Sequence, residues 1–468
     1  MHWAKEQIKK AGGKNMESIL NFISLINDKI NDFVWGPVMI ALMIGTGLFL
    51  SFCTNFLQFR KFIFAMKKTI GSVFSKNQHS KDSSGVSSFQ AVATAMAGTI
   101  GTGSIAGIAT AIGMGGPGAI FWMWVSALLG MVTKYSEIIL SMKFREKNEN
   151  GKWVGGPMYY IKNGLKIKWL AALFAIFAMV ACLGTGNATQ SNSIAGALNS
   201  TMNISPWITG TVLTIIVSGV ILGGMSRISS VNEKLVPVMA LFYVVCSVAA
   251  VAINFRQIPD AFALIFREAF NFNAAVGGGA GYGIMIAMHY GFSRGVFSNE
   301  AGLGSAPIAH AASTTKEPVE QGLWGMFEVF FTTIIICTLS AIVILTTGIW
   351  TTGEFEGAAL SIASFNKILP GIGSVVVTMS TIFFALSTIL GWAYYGEVAV
   401  GYLFKNARKA VDIYRLIYVA VVFVGAVGSL DLIWSISETM NGLMAVPNLI
   451  GLIGLYKVVK NITREYFN

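Results

Sequence analysis

Charged side chains are scarce in this chain. Asp, Glu, Lys and Arg make up 12% of its 468 residues, about half the share of a soluble protein. With 54% hydrophobic residues and a mean hydropathy of +0.64, the soluble classes are excluded. An all-α polytopic membrane protein is expected. Cysteine is scarce as well: Cys53, Cys182, Cys246 and Cys337 stand singly within apolar runs. That spacing offers neither a disulfide framework nor a metal site, so buried small side chains are expected. No nucleophile–base arrangement, metal-ligand cluster or phosphate-cradling loop is present. An enzyme is therefore not expected, and a dinucleotide reading of the glycines fails because no strand precedes them. The net charge of +11 lies mostly in loops, which points to the lipid bilayer and to no nucleic acid. A cleavable signal peptide is not evident, since Lys5, Lys9, Lys10 and Lys14 precede a first long apolar run that begins near Val34 and is of spanning length.

What is abundant is glycine in an unusual place. Met96-Ala-Gly-Thr-Ile-Gly-Thr-Gly-Ser-Ile-Ala-Gly107 lies inside an apolar run from about 87 to 113. Glycine costs roughly 1 kcal/mol against alanine in a helix, and backbone freed inside hydrocarbon must find partners. One reading is a helix broken at mid-membrane, its loose N–H groups suited to a carboxylate and its carbonyls to a small cation. The other is close helix packing through small residues.

Apolar runs of spanning length fall at about 34–56, 87–113, 117–142, 169–198, 206–224, 234–254, 275–313, 322–347, 373–404, 411–428 and 430–457, which makes about 11 transmembrane helices. Basic residues gather in alternate loops, among them Arg60, Lys61, Arg145, Lys162, Arg227, Lys405, Arg408 and Lys457. The positive-inside rule then places the N-terminus outside and the C-terminus in the cytoplasm. The lysine-rich N-terminus is the misfit in this assignment. Five plain divisions result: 1–32, an N-terminal amphipathic segment; 33–56, an extra transmembrane helix; 87–254, a first group of five helices; 275–457, a second group of five; and 458–468, a cytoplasmic tail. The second group also opens on an interrupted run, Gly277 to Gly283 followed by His289 to Pro307. Interrupted helices at matching places in two opposed halves point to a transporter site.

Several polar residues stand at membrane depth. Arg294 and Glu300 read as gate or structural charges, paired with each other or with neighbouring helices. Asn187, Gln190 and Ser193 lie on one stripe, available to a ligand or to interhelical bonds. Ser387 and Thr388 are adjacent hydroxyls that suit a weakly held sodium ion, though hydroxyls commonly bond back to the preceding turn. Trp392 follows one turn later and can wall a pocket. Lys134 with Glu137, and Asp431 with Glu438, read as helix-end or paired charges.

Five motifs together resemble the alanine or glycine:cation symporter family. They are Gly98-Thr-Ile-Gly-Thr-Gly-Ser-Ile-Ala-Gly107, Gly115-Gly-Pro-Gly-Ala-Ile-Phe-Trp-Met-Trp124, Gly155-Gly-Pro-Met-Tyr159, Arg294-Gly-Val-Phe-Ser-Asn-Glu-Ala-Gly-Leu-Gly-Ser-Ala-Pro-Ile308 and Ser387-Thr-Ile-Leu-Gly-Trp-Ala-Tyr-Tyr-Gly-Glu397. The likeness runs from about residue 33 to 457. It implies a leucine-transporter-like core of 5+5 helices in inverted repeats with broken first helices, behind one extra N-terminal helix. It further implies sodium-coupled import of alanine or glycine, with D-alanine a further candidate, across a prokaryotic cell membrane. By motif, Thr102 and Gly103 would receive the substrate carboxylate, Gln190 the amino group, and Phe297 and Trp392 would close the pocket. Sodium would take the carbonyls of Ala97 and Ile100 and the hydroxyls of Ser387 and Thr388. Ser104 stands where the family usually has Asn, which leaves glycine-versus-alanine preference and ion count open. Proton coupling through Glu300, and a sensor or channel of the same fold, are the alternatives.

Overall fold

The computed structural model describes residues 13–73, 84–270, 282–405, 407–428 and 431–468. Helices account for nearly all of them. They are α1 Gly13–Val34, α2 Pro37–Cys53, α3 Phe62–Val73, α4 Ser88–Thr99, α5 Ala106–Gly115, α6 Gly118–Phe144, α7 Lys168–Leu183, α8 Thr189–Met202, α9 Pro206–Ile221 and α10 Gly224–Ile253. There follow α11 Ile258–Ala269, α12 Tyr282–Asn299, α13 Ala306–Ala311, α14 Pro318–Val329, α15 Thr338–Thr347, α16 Gly357–Ile368, α17 Gly373–Leu403, α18 Arg408–Val427, α19 Asp431–Gly454 and α20 Tyr456–Phe467. One small hairpin, β1 Glu146–Lys147 with β2 Trp153–Val154, follows α6.

Seven stretches among the described residues are long and apolar enough to cross a bilayer, and α19 with α20, bent by 59°, makes an eighth. The other expected spans are broken or short: α4 with α5, α12 with α13, and the 16-residue α9. Their starts follow local chemistry. Ser87 and Gln90 form a reciprocal capping box at α4, and Pro37, Pro206 and Pro318 stand in the first turns of α2, α9 and α14, where no N–H is needed.

Both breaks are short. Residues 100–105 separate α4 from α5, and residues 300–305 separate α12 from α13. In the second, Glu300, Gly302 and Gly304 have φ of 56°, 92° and 81°, a left-handed backbone that glycine adopts at little cost. The interruption expected at Gly277–Gly283 lies mostly outside the described residues, and α12 runs unbroken from Tyr282 to Asn299. Within the described residues, the second break is the Glu300–Ser305 loop. Three π-helical stretches further interrupt the pattern among the described residues: Ile161–Leu165 before α7, Gly184–Ala188 between α7 and α8, and Phe330–Cys337 between α14 and α15.

The N-terminal helix is amphipathic in a particular sense. Asn27 and Asn31 donate to Ser435 (2.7 Å) and Thr439 (2.9 Å) of α19, while Phe22, Ile23, Ile26 and Ile30 are exposed. Its polar stripe packs on the protein and its apolar stripe faces outward. The stretch 458–468 belongs to α20, so the expected tail is a helix.

Candidate functional site

The site is built at the first break. A 3-10 turn at Thr102–Ser104 uses the amides of Ser104 and Ile105, bonded to Gly101 O and Thr102 O at 3.1 Å each. It leaves the Thr102 and Gly103 amides outside its own bonding. The Thr102 hydroxyl donates to Gln190 Oε1 at 3.1 Å, and Gln190 Nε2 donates to Thr185 O in the π-turn at 3.1 Å. The π-turn is what turns Gln190 toward the break. Asn187, expected on the same stripe, instead bonds Tyr418 O of α18 at 2.7 Å, because the extra residue in the turn rotates it away.

Gly103 faces the Phe297 ring of α12, and a Cβ there would lie 3.0 Å from the ring. Trp392 lies on Gly186, where a side chain would overlap it. Its indole N–H reaches Gly98 O at 3.3 Å and Glu300 Oε1 at 3.1 Å. The structure therefore gathers Thr102, Gly103, Gln190, Phe297 and Trp392 around one break. A cavity of about 880 Å³, lined by Thr102, Ile105, Ser193, Ala359, Lys367 and Thr381, connects that break to the α16 face of the molecule.

Adjacent to it, Thr388 and Ser387 of α17 donate to Ala97 O of α4 at 3.0 and 3.3 Å. Both also bond back to Phe384 O at 2.9 Å. This approach depends on Gly391, where a Cβ would sit 2.8 Å from Gly98 N and 3.0 Å from Thr94 O. Ile100, fully buried, caps the end of α4 with its carbonyl outside the helix's bonding. Hard, neutral oxygens of this kind suit a monovalent cation, since no carboxylate is among them.

Of the two pairings open to Arg294 and Glu300, with each other or with neighbouring helices, the structure has the second. Arg294 and Glu300 do not pair with each other. Arg294 lies 3.7 Å from Glu438, while Glu300 accepts from Ser305 and Trp392. Lys134 does not pair with Glu137 either. It is fully buried and contacts Glu328 (2.7 Å), Asn299 O (2.7 Å) and Thr99 Oγ1 (3.3 Å). Thr99 and His310 also bond Glu328, so one carboxylate joins the last residue of α4 to α13. Glu137 instead accepts from Gly302 N at 3.0 Å and from Asn448, holding the second break. This network is the part of the site the sequence reading missed. The available signal was a Lys and a Glu, each inside a long apolar run, that neither neighbouring loop could account for.

Among known proteins, residues 20–468 match the model of the sodium:alanine symporter family. The chain is 45% identical over 454 residues to the sodium/alanine symporter AgcS of Methanococcus maripaludis, covering 96% of this chain and 98% of that one. It is 47% identical over 447 residues to an uncharacterized transporter of Haemophilus influenzae, covering 95% and 96%. In fold it is similar to a mutant form of the Eremococcus coleocola manganese transporter, with a TM-score of 0.50 at 12% identity, covering 81% of this chain and 85% of that one.

Proposed function

The chain belongs to the sodium:alanine symporter family, a family of membrane transporters, and on that premise we propose that it imports a small neutral amino acid, alanine or glycine, together with sodium. The observation that carries the sodium reading is the Ala97 carbonyl held against the Ser387 and Thr388 hydroxyls. The substrate reading rests on the 3-10 turn a few residues further on, where the Thr102 and Gly103 amides, at the entrance to α5, suit a carboxylate. Gln190 Oε1 is the acceptor available to an ammonium group, in exchange for the Thr102 hydroxyl. Phe297 against Gly103 limits the side chain by size rather than charge.

Coupling follows from shared backbone. Ala97 and Ile100 precede Thr102 and Gly103 on one strand of chain, so a cation that pins α4 to α17 also fixes the amides that meet the carboxylate. The link is reciprocal: substrate tightens sodium as much as sodium tightens substrate. Alternating access completes the cycle. The cavity on the α16 face is open to Thr102, whereas the opposite face is closed by Lys134, Glu328, Thr99 and Asn299. With the N-terminus outside, this is an outward-facing form in a prokaryotic cell membrane.

Uptake of labelled alanine into proteoliposomes tests the reading. Accumulation is expected with an inward sodium gradient and not with a potassium or pH gradient alone. Accumulation driven by the pH gradient alone refutes the sodium site, and binding without uptake refutes transport.

A further inference from the structure

A second concave site lies far from the transport pathway, where α2 ends and α20 packs beside it. Its cavity, about 200 Å³, is lined by Arg60, Lys61, Lys460 and Arg464 together with Cys53, Thr54, Asn55, Leu57, Thr463, Phe467 and Asn468. Four cations thus converge from two segments some four hundred residues apart, and no Asp or Glu lines the cavity. Among the described residues, none of the four has a carboxylate within 4 Å. Some basic residues are matched, as Lys68 is with Glu320 at 2.8 Å and Lys162 with Glu146 at 2.9 Å, and others carry no ion pair among the described residues. The positive-inside rule accounts for basic residues on one side of a bilayer. It does not account for four unmatched ones facing a single cavity.

The pocket is held in shape. Thr463 bonds Tyr135 of α6 at 3.0 Å, and Lys61 sits 4.7 Å over the Phe467 ring. Interleaved with the lining residues, Phe52, Phe59 and Ile63 are 65%, 55% and 69% exposed, and Phe56 bridges the first two in edge and tilted ring contacts. An apolar ridge beside a basic pocket, at the end of a membrane span, matches one ligand chemistry: a phosphate carrying acyl chains. We propose that this pocket binds the headgroup phosphate of an anionic phospholipid, with Arg60, Lys61, Lys460 and Arg464 around the phosphate and the acyl chains along Phe52, Phe59 and Ile63.

The test uses the purified full-length chain, delipidated in detergent. Native mass spectrometry and thermal shift are read with phosphatidylglycerol, phosphatidylcholine or inorganic phosphate. Phosphatidylglycerol is expected to bind at least about tenfold more tightly than phosphatidylcholine, and the preference should vanish in K460Q/R464Q. That variant's Tm in phosphatidylcholine, equal to wild type, shows that it is folded. Lys409→Gln, an exposed basic position at the start of α18 outside the pocket, should retain the preference. The proposal fails if wild type shows no preference or if Lys409→Gln abolishes it equally. It fails as a lipid site if millimolar inorganic phosphate displaces phosphatidylglycerol.

Discussion

Thr388 joins two helices through one hydroxyl, donating to Ala97 O and Phe384 O. Its removal is expected to raise the sodium concentration for half-maximal alanine uptake about tenfold, the worth of one good polar contact, while the ranking of glycine, alanine and larger substrates stays as in wild type. A sodium titration of Thr388→Ala reads this directly, and an unchanged half-saturation concentration refutes the ion site. In the proposed site, Gly103 sets the size limit. Adding a methyl 3.0 Å from the Phe297 ring forces the ring toward the substrate. Gly103→Ala should weaken alanine uptake at least about fivefold and spare glycine more, as a competition series would show. The Lys134–Glu328 pair belongs to stability. Both side chains are fully buried, and leaving one charge alone costs about 3–5 kcal/mol. Glu328→Gln should therefore lower Tm sharply, with the K134M/E328L double variant lowering it less.

At the scale of elements, the two breaks are held by different means. The first rests on α17, and the contact of Gly391 with the α4 backbone allows it. Gly391→Ala would push the helices apart, at a cost of about 1–3 kcal/mol. It should weaken sodium and alanine together, because both sites use the α4 break. Loss of alanine affinity with sodium affinity intact would show that the two sites do not share that backbone. The inner ends of α4 and α13 are joined as well. Val86 N meets Ala312 O at 3.0 Å, and Thr314 N meets Val86 O at 2.9 Å. Arg145 donates to the carbonyls of Ala311, Ser313 and Thr315 and lies 4.3 Å over the Trp153 ring. Burial lowers its guanidinium to about 10, so it remains charged at neutral pH. Both half-helices therefore share one fastening on the closed face.

For the whole molecule, the proposed orientation rests on charge alone and is open to a direct check. In a background with the four native cysteines replaced by alanine, Thr352→Cys between α15 and α16 should react with an impermeant maleimide added to whole cells. Asn150→Cys in the hairpin after α6 should react only after the membrane is opened. The reverse pattern inverts the assignment and places the 880 Å³ cavity on the cytoplasmic side.

Membership of the membrane class, the positions of the spanning segments and the first break were legible in the sequence, because they depend on local quantities: hydropathy over a spanning length, and glycine where a helix resists it. The helices α3, α11 and α16, outside the apolar runs, were not. Gln190, Ser387, Thr388 and Trp392 were legible as polar or aromatic residues out of place in apolar runs. Their partners were not. Lys134 lies three residues from Glu137, the spacing of a helical pair, yet it bonds Glu328 from a helix nearly two hundred residues away. Asn187 and Gln190 share a stripe on a regular helix and diverge on the real one, because a π-turn adds a residue between neighbouring turns. The second break lies within the His289–Pro307 run, and its exact place was decided by packing: Gly302 and Gly304 take left-handed backbone where Glu137 and Asn448 can receive the freed N–H and C=O groups. Composition and periodicity determine which segments cross the membrane. Which buried polar groups meet is decided by packing across segments, since a polar group inside hydrocarbon takes whatever partner the neighbouring helix presents.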